Sequence, residues 1–214
     1  MQVLFLSFFV SVLATAWVVH ASRGRAGFML DHDVSGPQKF HAFPVPRVGG
    51  IGIVLALVAS CVFLLVAHPR YGRFAGLLML CAIPAFGAGL IEDVTKVVSP
   101  AKRLAATVVS AALAFWLLDA RITHSDIPGL DTLLQYLPVS FLLTLLAVAG
   151  IANSVNIIDG FNGLAAMCVV IMLAALAYVG FQTGDLVVGE MALAGAGAVL
   201  GFFLWNFPLG LIFL

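Results

Sequence analysis

The sequence predicts an all-α fold, a polytopic transmembrane helix bundle of about seven spans with its N-terminus outside. Three observations carry that prediction. Hydrophobic residues make up 63% of the 214 residues and charged residues 9%, against about 25% charged in soluble domains. The mean hydropathy is +1.15. Stretches without Asp, Glu, Lys or Arg recur at 1–22, 48–69, 74–91, 104–118, 132–158 and 160–184, and a further stretch from 186 to 214 is interrupted only by Glu190. A bilayer-crossing helix needs roughly 20 such residues.

The spans are read, in order, at 1–20, 48–68, 74–91, 103–119, 136–155, 163–181 and 186–205. The first has no basic residue ahead of its apolar stretch and is long enough to cross, so it is read as a retained span and not as a secretory signal. Gly49 and Gly50 open the second and Glu92-Asp93 close the third. Ser99-Pro100 opens the fourth helix, whose uncharged run is short; Arg103 and Asp119 at its ends can snorkel to the interfaces. The fifth runs into an Asn/Asp cluster from which the sixth starts. In the seventh, Gly195-Ala196-Gly197-Ala198 with Gly201 favours close helix contact, and Glu190 is placed near the outer boundary, where it can snorkel. All of 1–214 is read as a single integral membrane domain.

The formal net charge is zero, and no nucleic-acid partner is expected. The placement of the basic residues is more informative. Arg23, Arg25, Lys39, Arg47, Lys96, Lys102 and Arg103 follow odd-numbered spans; Arg70, Arg73 and Arg121 lie on the other side. The positive-inside bias then puts the loops after odd-numbered spans in the cytoplasm. Three polar segments consequently share that face: Asp31 to Gly50, Glu92 to Arg103, and Asn153 to Gly163. Outer loops such as His68 to Arg73 and Arg121 to Gln135 show no comparable pattern.

Asn153, Asn156, Asp159 and Asn162 recur every three residues, so on a helix they would drift slowly around one face, about 60° apart. Polar groups at the end of a membrane span are costly unless they serve a purpose. In the first segment, Pro44 and Pro46 keep the backbone extended, and Lys39, His41 and Arg47 suit phosphate oxygens. Taken singly, each basic residue also reads as an ordinary positive-inside residue at a headgroup surface. Glu92 and Asp93 repel each other and would point about 100° apart on a helix; the plainer reading is a solvated pair balanced by Lys96 and Lys102. Cys61, Cys81 and Cys168 lie within spans without metal-like spacing and are read as packing residues. His20, His68 and His124 are read as interface residues.

Four stretches together resemble the polyprenyl-phosphate N-acetylhexosamine-1-phosphate transferase family, the membrane enzymes related to the bacterial MurNAc-pentapeptide and GlcNAc phosphotransferases. They are Pro44-Val45-Pro46-Arg47-Val48-Gly49-Gly50; Gly89-Leu90-Ile91-Glu92-Asp93 with Arg103-Leu104 downstream; Asn153 through Gly163 with Leu164; and Gly201 through Pro208 leading to Ile212-Phe213-Leu214. The likeness covers essentially the whole chain. It implies transfer of N-acetylhexosamine 1-phosphate from a UDP-sugar to undecaprenyl phosphate, with release of UMP and with Mg²⁺ as cofactor. The setting it implies is the cytoplasmic face of a bacterial inner (plasma) membrane, in cell-envelope polysaccharide synthesis. The family includes dimers, so a homodimer is an expectation as well.

By the same resemblance, Asp93, Glu92 and Asp159 are the candidate catalytic residues. Lys39, His41, Arg47, Asn153 and Asn162 are candidates for substrate binding, and Asn156 and Asp159 for the metal. Glu92 departs from the family's first aspartate. The family continues past the Ile-Phe-Leu run into Gly-Asp-x-Gly, whose aspartate is a principal Mg²⁺ ligand. The chain stops at Leu214, so it is read as a C-terminally truncated copy with weak Mg²⁺ binding and poor turnover. Two alternatives are an inactive remnant that binds lipid phosphate and a membrane transporter. A transporter usually places such groups near the midplane within paired repeats, and no internal repeat is found.

Overall fold

The computed structural model describes residues 1–24 and 46–213. Among these, eight helices follow in order: α1 Gln2–Gly24, α2 Gly50–Ala67, α3 Pro69–Thr95, α4 Pro100–Leu117, α5 Leu130–Leu134, α6 Leu137–Ile158, α7 Leu164–Thr183 and α8 Leu186–Asn206. Extended pairing among the described residues is limited to a bridge at Pro46. The all-α polytopic bundle is thus the observed architecture. Seven of these helices coincide with the seven expected spans, and six are long and apolar enough to cross a membrane. The helix outside those six is α4, which carries Lys102 and Arg103 in its first turn.

Two connections differ from expectation. The segment His68 to Arg73 is not a loop: α2 and α3 are separated by His68 alone, and Arg70 and Arg73 sit in the first turns of α3. His68 N–H donates to Leu64 C=O at 2.8 Å and Gly72 N–H to His68 C=O at 3.1 Å, so one residue ends one helix and starts the next. The stretch Arg121 to Gln135 contains the short α5, begun by Gly129 in the left-handed conformation.

The chain divides into two compact units, Met1–Ala75 with Ile157–Leu214, and Gly76–Asn156. In the first, α1 packs against α8 and α2, and α7 against α8. Ser7, Ser11 and Thr15 recur at every fourth position of α1 and are fully buried, whereas Phe5, Phe9, Leu13 and Trp17, also four apart, are exposed. Four-residue spacing gathers each set on one face, the first small enough for a neighbouring helix and the second apolar enough for lipid. Small residues let backbones approach, and in hydrocarbon that dispersion contact replaces the hydrophobic effect. A Cβ on Gly201 would lie 2.5 Å from the Phe8 carbonyl oxygen and 2.6 Å from Ser11 Cβ. Ser11 Oγ donates to Ala198 C=O at 2.6 Å and Trp205 Nε1 to Val12 C=O at 3.1 Å, tying the middle of α1 to the second half of α8.

In the second unit, α4 runs antiparallel to α3 and α6. Near one end Arg103 pairs with Glu92 of α3; midway, Ser110 Oγ accepts from Ala85 N–H at 3.0 Å; at the other end the Phe115 ring meets Phe141 of α6 edge-on at 5.0 Å. Ala85 follows Pro84, whose ring disturbs the helical ladder, and the serine hydroxyl partners the amide there. An 18-residue helix extends about 27 Å. Ser99 caps it by accepting from Lys102 N–H at 3.4 Å, with Pro100 at its first turn, as expected.

Candidate active site

The Asn/Asp cluster divides between a helix and a turn. Asn153 and Asn156 are exposed on the last turns of α6, which ends at Ile158; Asp159 to Gly163 form a turn before α7 starts at Leu164. The four residues therefore do not continue around a single helical face as their spacing suggested. Gly163 closes the turn: it adopts φ +80° as the residue before α7, a conformation that glycine takes without strain. Any Cβ there would press into the Phe203 and Phe207 side chains, each at 2.9 Å.

This turn is bound into a frame within the first unit. The buried Asn206 carboxamide accepts from Gly163 N–H at 2.5 Å and donates to Ile212 C=O at 2.9 Å. Gly49 N–H donates to Phe213 C=O at 2.9 Å, and Phe213 N–H to Pro46 C=O at 2.9 Å. Arg47 lies between those paired residues, half-buried, close enough to Asp159 to act on its charge. Burial pushes the Asp159 carboxyl above the usual carboxylate range, and the Arg47 guanidinium works against that rise. Of the expected first-segment residues, Arg47 is thus brought to Asp159, with half-buried Asn162 in the same turn. Lys39 and His41 lie outside the described residues.

The second unit holds the other candidates. Glu92 and Asp93 occupy the last turn of α3, both half-buried. Arg103 Nη1 donates to Glu92 Oε2 at 2.5 Å, so the charge expected to be balanced by Lys96 and Lys102 is met at Glu92 by an arginine eleven residues on. A cleft of about 180 Å³ opens beside this pair, lined by Ala85 and Gly89 of α3, Arg103 and Thr107 of α4, and Asn153 and Asn156 of α6. Guanidinium, hydroxyl and amide groups there suit a polar, hydrogen-bonding ligand.

Sequence reasoning read Arg103 as a snorkelling residue at the start of the fourth span and as part of a family-like stretch, not as a partner of Glu92, and assigned no role of their own to Thr107 or Asn206. For Arg103 a signal existed, an arginine just inside an apolar run downstream of two acids. Asn206 resembles any amide at a span end, and its partners are far away in sequence. Among the described residues, one further group brings His and carboxylates together. His124 pairs with Asp126 at 2.9 Å and with Asp131 at 2.8 Å, and Asp131 also accepts from Ser125. These groups satisfy one another across the connection after α4 and the first turn of α5.

The family model described as glycosyl transferase family 4 matches residues 75–214. Among curated relatives, the chain is 31% identical over 175 residues to the phospho-N-acetylmuramoyl-pentapeptide-transferase of Streptococcus thermophilus, a match covering 75% of this chain and 51% of the relative. It is 30% identical over 213 residues to the putative UDP-N-acetylglucosamine–dolichyl-phosphate N-acetylglucosaminephosphotransferase of Sulfolobus acidocaldarius, covering 94% of this chain and 61% of the relative. With the protein of the same description from Saccharolobus solfataricus it shares 27% over 203 residues, 94% of this chain and 61% of that one. The chain thus spans about half to three-fifths of the length of these relatives. Since the matched region is well over half of the chain, the protein belongs to glycosyl transferase family 4.

Proposed function

We propose that the protein transfers N-acetylhexosamine 1-phosphate from a UDP-sugar to undecaprenyl phosphate at the cytoplasmic face of the bacterial plasma membrane, for cell-envelope polysaccharide synthesis. An oxygen of the acceptor phosphate attacks the β-phosphorus of the UDP-sugar. The bond from that phosphorus to the bridging oxygen breaks, and UMP leaves with the electron pair. The acceptor is already an anion, so the barrier is dominated by charge repulsion and alignment. A lipid acceptor accounts for a bilayer-embedded catalyst: its tail stays in hydrocarbon while its phosphate lies at the boundary.

The observation that carries this reading is Asp159, a carboxylate in a glycine-bounded turn at the end of an apolar helix, with the Arg47 cation acting on it. Its burial destabilises the charged form and Arg47 offsets this only in part, so a cation bound beside it would stabilise the carboxylate further. Carboxylate and amide oxygens suit Mg²⁺, and Asp159 with Asn156, three residues earlier in the chain, would hold it. Bound there, the ion would neutralise phosphate charge and help align the attack. Arg47 then contacts phosphate, together with Lys39 and His41. Asn153 and Asn162 offer amides to the nucleotide sugar, while Asp93, Glu92 and Asp159 are the catalytic residues of this reading. A homodimer belongs to the same reading.

The test is UMP release from UDP-GlcNAc and undecaprenyl phosphate by membranes carrying the natural gene product. Chelation with EDTA is expected to abolish release and excess Mg²⁺ to restore it. Asp93→Asn and Asp159→Asn are each expected to lower the rate at least about 100-fold, the scale of losing a main electrostatic contribution. Near-parent rates in both variants would remove the site assignment.

A further inference from the structure

We propose that Asn206 is a positioning residue whose carboxamide, accepting from Gly163 N–H and donating to Ile212 C=O, sets the Asp159–Gly163 turn against the 46–49 and 211–213 segments and thereby places Asp159 relative to Arg47. What the placement is for rests on the transferase reading; the placement itself does not.

Asn206 is 3% exposed at the last residue of α8. An asparagine that merely ended its own helix would bond that helix's carbonyls. Both partners here lie elsewhere, 43 residues before and 6 residues after. Gly163 immediately precedes α7 with a left-handed backbone, so its N–H has no earlier turn of that helix to donate to. Ile212 is 1% exposed, and its carbonyl would be costly to bury without a donor. One amide group therefore answers two buried backbone groups from separate segments. Those segments are the ones that carry the candidate chemistry: Gly163 ends the turn holding Asp159 and Asn162, and Phe213, next to Ile212, pairs on both sides of Arg47 through Pro46 and Gly49.

The two bonds can be separated by substitution. Asn206→Leu removes both, whereas Asn206→Asp keeps an acceptor for Gly163 N–H and loses the donor to Ile212. Amide hydrogen exchange of the full chain in lipid nanodiscs reads the two segments independently. In Asn206→Leu, exchange across 160–164 is expected to rise about tenfold, the scale of one buried hydrogen bond, with the interiors of α7 and α8 within twofold of the parent. In Asn206→Asp, 160–164 should stay near the parent while 211–213 exchanges faster. If Asn206→Leu fails to fold, the split within Asn206→Asp decides alone. In the natural gene product, Asn206→Leu should lower kcat for UMP release about tenfold and leave KM for UDP-GlcNAc within twofold, since a displaced carboxylate misaligns reaction more than binding. Unchanged exchange at 160–164 in Asn206→Leu would overturn the proposal. So would equal acceleration throughout α7 and α8, or a KM effect with kcat intact. If the parent releases no UMP, the transferase reading fails while the exchange pattern still judges Asn206.

Discussion

Arg103 holds Glu92 at 2.5 Å, joining the first turn of α4 to the last turn of α3 with each side chain about 30% exposed. In the bundle this pair answers a charge problem that the dipeptide Glu92-Asp93 poses by itself, two adjacent acids at a membrane boundary.

A double-mutant cycle with Glu92→Gln and Arg103→Met should return a coupling of about 0.5–1 kcal/mol, the range for partly exposed ion pairs. It should shrink in 1 M salt. Thermal unfolding in detergent checks it, and zero coupling at low salt would show that the pair contributes nothing to the join.

Asp159 is expected to make stability fall as pH rises. Burial, the larger influence, raises its pKa above the unfolded value, and Arg47 opposes this. Between the unfolded and folded pKa values the folded chain binds more protons than the unfolded one, so unfolding free energy decreases with pH through that window and stays lower above it. Asp159→Asn should therefore melt higher than the parent at pH 7 and no higher at a pH below the ordinary aspartate range. Arg47→Met should melt lower at pH 7, because the remaining offset is gone. A parent that gains stability across the same window through Asp159 contradicts this account.

Close approach of α1 and α8 makes Gly201 sensitive to one methyl group. Gly201→Ala places a Cβ against the Phe8 carbonyl and Ser11 and should cost about 1–3 kcal/mol, as overpacking does. Gly87, in α3, has open space where a Cβ would go; Gly87→Ala should be neutral or stabilise by up to about 1 kcal/mol through helix propensity. Melting temperatures of the pair in one detergent check the contrast, and equal shifts would refute the packing argument.

Helices were legible because bilayer crossing requires uninterrupted apolar length, a property visible in one dimension. Ser99-Pro100 marked a helix start for a local reason, capping and a preset φ, and the structure agrees. The glycine stripe of α8 likewise announced close packing, though not its partners, which are α1 for Gly197 and Gly201 and α7 for Gly195. Boundaries failed where a few charges sit inside a helix: Arg70 and Arg73 read as a loop, yet the α3 backbone continues through them because their heads can reach an interface while the helix satisfies its own amides. The candidate site was legible as residue types. Its division into a helical part, Asn153 and Asn156, and a turn, Asp159 and Asn162, closed by the left-handed Gly163, was not.

By itself the sequence determined an all-α membrane bundle and the residue types from which a phosphate-handling site could be built, since both follow from local composition and spacing. Only the tertiary structure decided that Glu92 answers to Arg103, that Arg47 acts on Asp159, and that Asn206 joins Gly163 to Ile212. Those choices depend on which buried polar groups meet across separated segments. In a low-dielectric interior, an unmet donor or charge costs enough that such meetings select the conformation.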